Sequence, residues 1–96
     1  MTGDGRERSR VFLVIHGRVQ GVSFRYYARQ RAMQLQLAGW IRNASNGTVE
    51  AEVEGDREAV RQFVEWAHEG PGMARVERVE VTPREPQGER AFHVVG

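Results

Sequence analysis

The sequence predicts an α+β fold of the ferredoxin-like kind. This is an α/β sandwich of order βαββαβ, with a four-stranded antiparallel sheet, a short extra C-terminal strand and two helices on one face. Three observations predict it. Two stretches carry apolar residues at three- and four-residue spacing, as helices with one buried stripe do. One stretch alternates Val or Ala with Glu, as a strand with one buried face does. Short apolar runs and Gly-, Pro- or Asn-bearing breaks then order the elements as strand, helix, strand, strand, helix, strand.

Residues 1–9 are polar, Gly-containing and aperiodic, and read as a flexible leader. Residues 10–96 read as one domain, the natural expectation for a chain of 96 residues. Residues 11–15 form an unbroken apolar run bounded by Gly17, the pattern of a strand buried on both faces. Phe24, Tyr27, Ala28, Ala32 and Leu35 then recur with helical spacing. They predict a helix over residues 23–35, with Ser23 as the N-cap whose hydroxyl accepts from a first-turn amide.

Residues 39–44, containing Trp40 and Ile41, predict the second strand, and Ser45-Asn46-Gly47 supplies a turn that tolerates positive φ. Val49, Ala51 and Val53 alternate with Glu50, Glu52 and Glu54, placing a buried face against a solvated one. Asp56 is the expected cap of the second helix, whose stripe is Ala59, Val60, Phe63, Val64 and Ala67. Gly70-Pro71-Gly72 stops it. Residues 75–81 predict another strand; Val76 and Val79 have opposite parity, which a bulge near Glu77 or Arg78 would reconcile. Residues 91–95 form a last short strand, expected near the first, where the Gly96 carboxylate could pair with Arg25.

Composition narrows the function. Arg and Glu are interleaved and nearly balanced, at a formal charge of +1, so no nucleic-acid partner is expected. The absence of Cys excludes disulfides, thiolate metal sites and thiol nucleophiles. No signal-peptide core and no apolar run of spanning length is present, and a soluble cytoplasmic monomer with no membrane partner is expected. His16, His68 and His93 lack metal-ligand spacing, so no metal site is expected. Ser23 has no His or Asp placed by the sequence to activate it as a nucleophile.

The chemistry concentrates in Gly17-Arg18-Val19-Gln20-Gly21-Val22-Ser23-Phe24-Arg25, between a strand and the start of a helix. A helix N-terminus offers unpaired amides and the positive end of the dipole. Gly17 and Gly21 let the backbone curl into an anion-binding nest. Arg25 adds a planar fork matched to two phosphate oxygens. Spacing alone leaves an ordinary reading as the commoner one: a tight loop before a helix, with Arg25 in a surface ion pair. The Gly-Lys-Ser/Thr ending of a nucleotide P-loop is missing.

This stretch, followed by Gly39-Trp40-Ile41-Arg42-Asn43-x-x-x-Gly47-x-Val49, resembles the signature pair of the acylphosphatase family. The resemblance runs from about Val11 to the C-terminus. It implies hydrolysis of acyl phosphates to a carboxylate and inorganic phosphate, without metal or cofactor. It also implies that Arg25 and the loop of Gly17, Arg18, Val19, Gln20, Gly21, Val22 and Ser23 hold the phosphate, while Asn43 orients the water. Inorganic phosphate would be product and competitor. The departures are Gln36 where Gly is frequent, Asn46 where Asp is frequent before Gly47, and Ile41 where Val is common. The alternative is a catalytically silent ferredoxin-like module that binds an anion or RNA, and the intact Arg25 and Asn43 favour the enzyme.

Overall fold

The computed structural model describes residues 7–96. Its elements are β1 (Arg8–Arg18), α1 (Phe24–Gln34), β2 (Ala38–Asn43), β3 (Val49–Asp56), α2 (Arg57–Glu69), β4 (Arg75–Arg84) and β5 (Phe92–Val95). The expected order holds. Arg8 and Ser9, placed in the leader by their polarity, begin β1, paired with Asp56 and Gly55. Residues 1–6 of that leader lie outside the described residues.

The sheet order is β4-β1-β3-β2-β5. β1 pairs antiparallel with β3 and β4, β2 pairs antiparallel with β3, and β5 runs parallel to β2. The last strand therefore lies beside β2, not beside β1, because β3 and β4 already occupy both edges of β1. Leu13, Ile15, Ile41, Val49, Ala51 and Val53 are fully buried from the sheet side. Phe24, Ala28 and Ala32 of α1, and Val60, Phe63 and Ala67 of α2, meet them in one core.

β1 is not buried on both faces. With both helices on one side, alternate residues of β1 point to the uncovered side, and Phe12 and Val14 are only half-buried. Phe12 instead packs against Trp40 at 6.3 Å between ring centroids and lies under the Arg84 guanidinium, 5.0 Å away.

The same uncovered side overturns the expected solvated face of β3. Glu54 has no exposed surface, and Arg10, on the neighbouring strand, is 3% exposed. Arg10 donates to Glu52 at 2.6 Å, and to Glu54 and Glu89 at 2.8 Å each. Arg8 and the backbone amides of Gln87 and Gly88 also donate to Glu54. The chain between β4 and β5 is thus tied across the end of β3. Burial would push the Glu54 carboxyl up, but the Gln87 amide, Arg10, the Gly88 amide and Arg8 together hold it down to about 2.

α1 ends in a Schellman arrangement: the Leu37 amide donates to the Ala32 carbonyl at 2.8 Å, and the Gln36 amide to Met33 at 3.1 Å. Gln36 stands at the left-handed position with φ 58°, where Gly would carry no Cβ strain. The motif forms regardless, and Leu37 is buried beneath it. At its start, Ser23 is also left-handed, with φ 61°, and its side chain makes no capping bond, contrary to the expectation. Asp56 likewise precedes α2 without a side-chain cap bond.

Candidate active site

The expected bulge sits where the candidate loop leaves the sheet. His16 pairs with Arg78 and Gly17 with Val76, so Glu77 is the extra residue. Gly17 has φ +127°, and a Cβ there would lie 2.2 Å from the Arg75 carbonyl oxygen. Its glycine therefore serves the close passage of β4, and its contribution to a ligand nest is indirect. Beyond it, Gly21 (φ 76°) and Ser23 (φ 61°) are both left-handed and curl the backbone back toward α1. The first return bond of the helix is from the Tyr27 amide to the Ser23 carbonyl, at 3.2 Å. The amides of Phe24, Arg25 and Tyr26 thus have no intrahelical acceptor.

A cavity of about 500 Å³ opens at this curl, lined by Val19, Gly21, Ser23, Arg25 and Asn43 among others. Asn43 reaches it because it is the last residue of β2, paired with Val49. Arg25 and Asn43, 18 positions apart in the sequence, thus face one space. The Arg25 guanidinium donates one long bond, 3.5 Å, to the Val95 carbonyl. It makes no ion pair with the Gly96 carboxylate, so that expected pairing is absent. Nor, among the described residues, is it in the surface ion pair of the ordinary reading. The half-buried Arg25 side chain lines the cavity.

Other expected ligand residues do not line this space. Arg18 is exposed at the end of β1, and Val22 lines a different groove, with Tyr27 and Trp66. The Gln20 amide group donates to the carbonyls of Ala44 and Thr48, at 2.7 and 2.9 Å. Its side chain therefore ties the loop to the β2–β3 turn and is spent there. Asn46 completes that turn by accepting from the Thr48 amide and hydroxyl. Sequence reasoning missed Tyr26 and Arg29, which line the cavity from successive turns of α1. The available signal was an 11-residue helix with three arginines and no acid, in a chain otherwise nearly charge-balanced.

Among the described residues no group of His, Cys, Asp or Glu is placed to hold a metal ion. His16 lies against Glu80, 2.6 Å away, on the uncovered sheet face. Among the described residues no helix is long and apolar enough to cross a membrane.

The acylphosphatase family model matches residues 11–94, which contain the bulge, the curl and the β2–β3 turn. The chain belongs to the acylphosphatase family. An acylphosphatase from Nocardioides sp. is 55% identical over 91 residues, covering 95% of this chain and 92% of that one. Another, from Thermococcus kodakarensis, is 52% identical, covering 94% and 99% respectively. The solved structure of an acylphosphatase from Coxiella burnetii superposes with a TM-score of 0.90 at 35% identity, over 99% of this chain and all of that one. The ferredoxin-like arrangement is thus the family's own. Of the residues in the two motifs, Val19, Gly21, Phe24, Arg25 and Asn43 line the cavity together with Ser23; Gly17 and Gln20 shape the loop around it, and Val22 lines another groove.

Proposed function

We propose that this acylphosphatase-family chain hydrolyses acyl phosphates by enclosing the phosphate between Arg25 and the amides of the curled loop, with Asn43 holding the attacking water. The observation that carries this reading is the single cavity into which the Arg25 fork, the Gly21–Ser23 curl and Asn43 all open. The role of each residue is the one that the resemblance to the acylphosphatase signature implies, and that geometry and elementary phosphoryl chemistry support it.

Phosphoryl transfer runs through a loose transition state, so positioning and charge stabilisation supply most of the catalysis. The leaving group is a carboxylate, a weak base that departs without a general acid. Arg25 and the unpaired first-turn amides neutralise the equatorial oxygens, and their geometry is set before substrate arrives. The Asn43 amide accepts from water with its oxygen and donates with its nitrogen, fixing the nucleophile opposite the leaving oxygen. A neutral amide is too weak a base to keep the proton, which passes to the bound phosphate. Nothing in this sequence requires a metal, and the protein acts as a cytoplasmic monomer with inorganic phosphate as product and competitor.

Phosphate release from benzoyl phosphate, measured in chelator, tests the reading. Asn43→Ala should lower kcat by about 10²-fold or more while inorganic phosphate competes as before. Arg25→Ala should abolish both turnover and competition. Arg25→Lys keeps the charge but loses the fork, and full activity in that variant would refute the bidentate grip. An inert wild-type protein that retained single-stranded RNA would overturn the enzymatic reading altogether.

A further inference from the structure

The cavity holding Arg25 and Asn43 has more cation than a phosphate grip uses. Arg29 lines it one helical turn beyond Arg25, and also lines the adjoining cavity of about 380 Å³, where Arg90 forms part of the wall. No acidic residue lines either cavity, and α1 contains none. No ion pair among the described residues involves Arg25, Arg29 or Arg90. Among the described residues Arg18, Arg31 and Arg75 are likewise in no ion pair, but the other arginines are neutralised. Arg8, Arg10, Arg42, Arg57, Arg61, Arg78 and Arg84 each meet a carboxylate. Arg29 and Arg90 thus carry the positive charge of the Arg25 cavity on into its neighbour.

We propose that Arg29, with Arg90 beyond it, forms a second anion subsite that selects acyl phosphates whose acyl chain carries its own anionic group. The proposal rests on the acyl phosphate reading above and specifies its substrate class. Four residues of helix rise by about 6 Å. The distal carboxylate of succinyl phosphate lies a comparable distance from its phosphorus, so the two anions can meet Arg25 and Arg29 together. Butyryl phosphate has the same four-carbon chain with a methyl group in place of that carboxylate. The carboxylate is therefore the only difference between the two substrates.

The test compares kcat/KM for succinyl and butyryl phosphate in the full chain and in Arg29→Gln and Arg29→Lys. The wild type should prefer succinyl phosphate, and Arg29→Gln should lower that preference by roughly five- to tenfold, with butyryl phosphate changed less than twofold. Arg29→Lys should recover part of the preference, and added salt should erode it in the wild type. An unchanged succinyl-to-butyryl ratio in Arg29→Gln, or an equal loss on both substrates, would overturn the subsite. The dissociation constants of the matching non-hydrolysable phosphonates provide a second readout. If they keep the Arg29-dependent ratio in a protein that hydrolyses neither substrate, the subsite stands and only the hydrolase reading fails.

Discussion

Replacing Gln20 by Ala cuts the two hydrogen bonds that hold the ligand loop against the β2–β3 turn. Both acceptors keep another partner: Thr48 accepts from the Ala44 amide at 2.9 Å, and Ala44 from the Gly47 amide at 3.2 Å. Neither carbonyl is left orphaned, so the loss is the net value of two bonds without a full desolvation penalty, about 1–2 kcal/mol of stability. The functional effect should be larger than that figure suggests. Asn43 immediately precedes Ala44, and without the tie its amide drifts relative to Arg25. A misplacement of about 1 Å between a catalytic group and its substrate can cost 10²-fold in rate.

Gln20→Ala should therefore lower kcat roughly tenfold or more while the inhibition constant of inorganic phosphate stays within about twofold, because Arg25 and the first-turn amides are untouched. Denaturant titration supplies the stability change, and steady-state hydrolysis of benzoyl phosphate with phosphate as competitor supplies the rest. A variant destabilised as expected but with unchanged kcat would show that the bonds serve only the fold. Phosphate inhibition weakening in step with kcat would show that Gln20 acts on the cradle and not on Asn43.

Gln36→Gly relieves a left-handed strain of about 1 kcal/mol, partly offset by the greater freedom of an unfolded glycine. It should raise the unfolding free energy by about 0.5 kcal/mol in denaturant titration with no change in activity, and a loss of stability would contradict the observed helix ending. Glu54 has a folded pKa lowered to about 2 from an ordinary 4.5. Its contribution is present above the ordinary value and disappears as pH falls through the folded one. The stability difference between the wild type and Glu54→Gln should accordingly shrink by about 3 kcal/mol between pH 6 and pH 2 in denaturant titrations. A difference constant over that range would remove Glu54 from the acid response.

The elements were legible because their apolar periodicity is local. Val49, Ala51 and Val53 carry their own strand signal, and the clashing parity of Val76 and Val79 marks an extra residue at Glu77 or Arg78, which the pairing register then fixes as Glu77. The chemically identical neighbours Glu50, Glu52 and Glu54 carry no such signal. Glu50 meets Arg42 near the surface, whereas Glu54 is enclosed because residues 87–89 cross its end of the strand. That difference arises from a segment more than 30 positions away. The neighbour of β5 was hidden for a related reason: an edge strand of four residues has little pattern to specify which strand it pairs with. At the site, Arg25 and Asn43 were legible as a motif pair. Ser23, assigned by residue type to a capping role, bends the backbone instead, because local shape is a property of dihedral angles that composition does not encode.

Gly17 bears on how substitution tolerance should be read. A carbonyl oxygen stands 2.2 Å from where its first side-chain carbon would go, so any replacement forces the backbone of β4 to shift, whatever its charge or polarity. In a saturation library scored by growth, Gly17 and Arg25 would look equally intolerant, one for lack of room and the other for lack of a guanidinium. Only a ligand-affinity screen confined to folded variants would separate steric necessity from chemical necessity at the two ends of the loop.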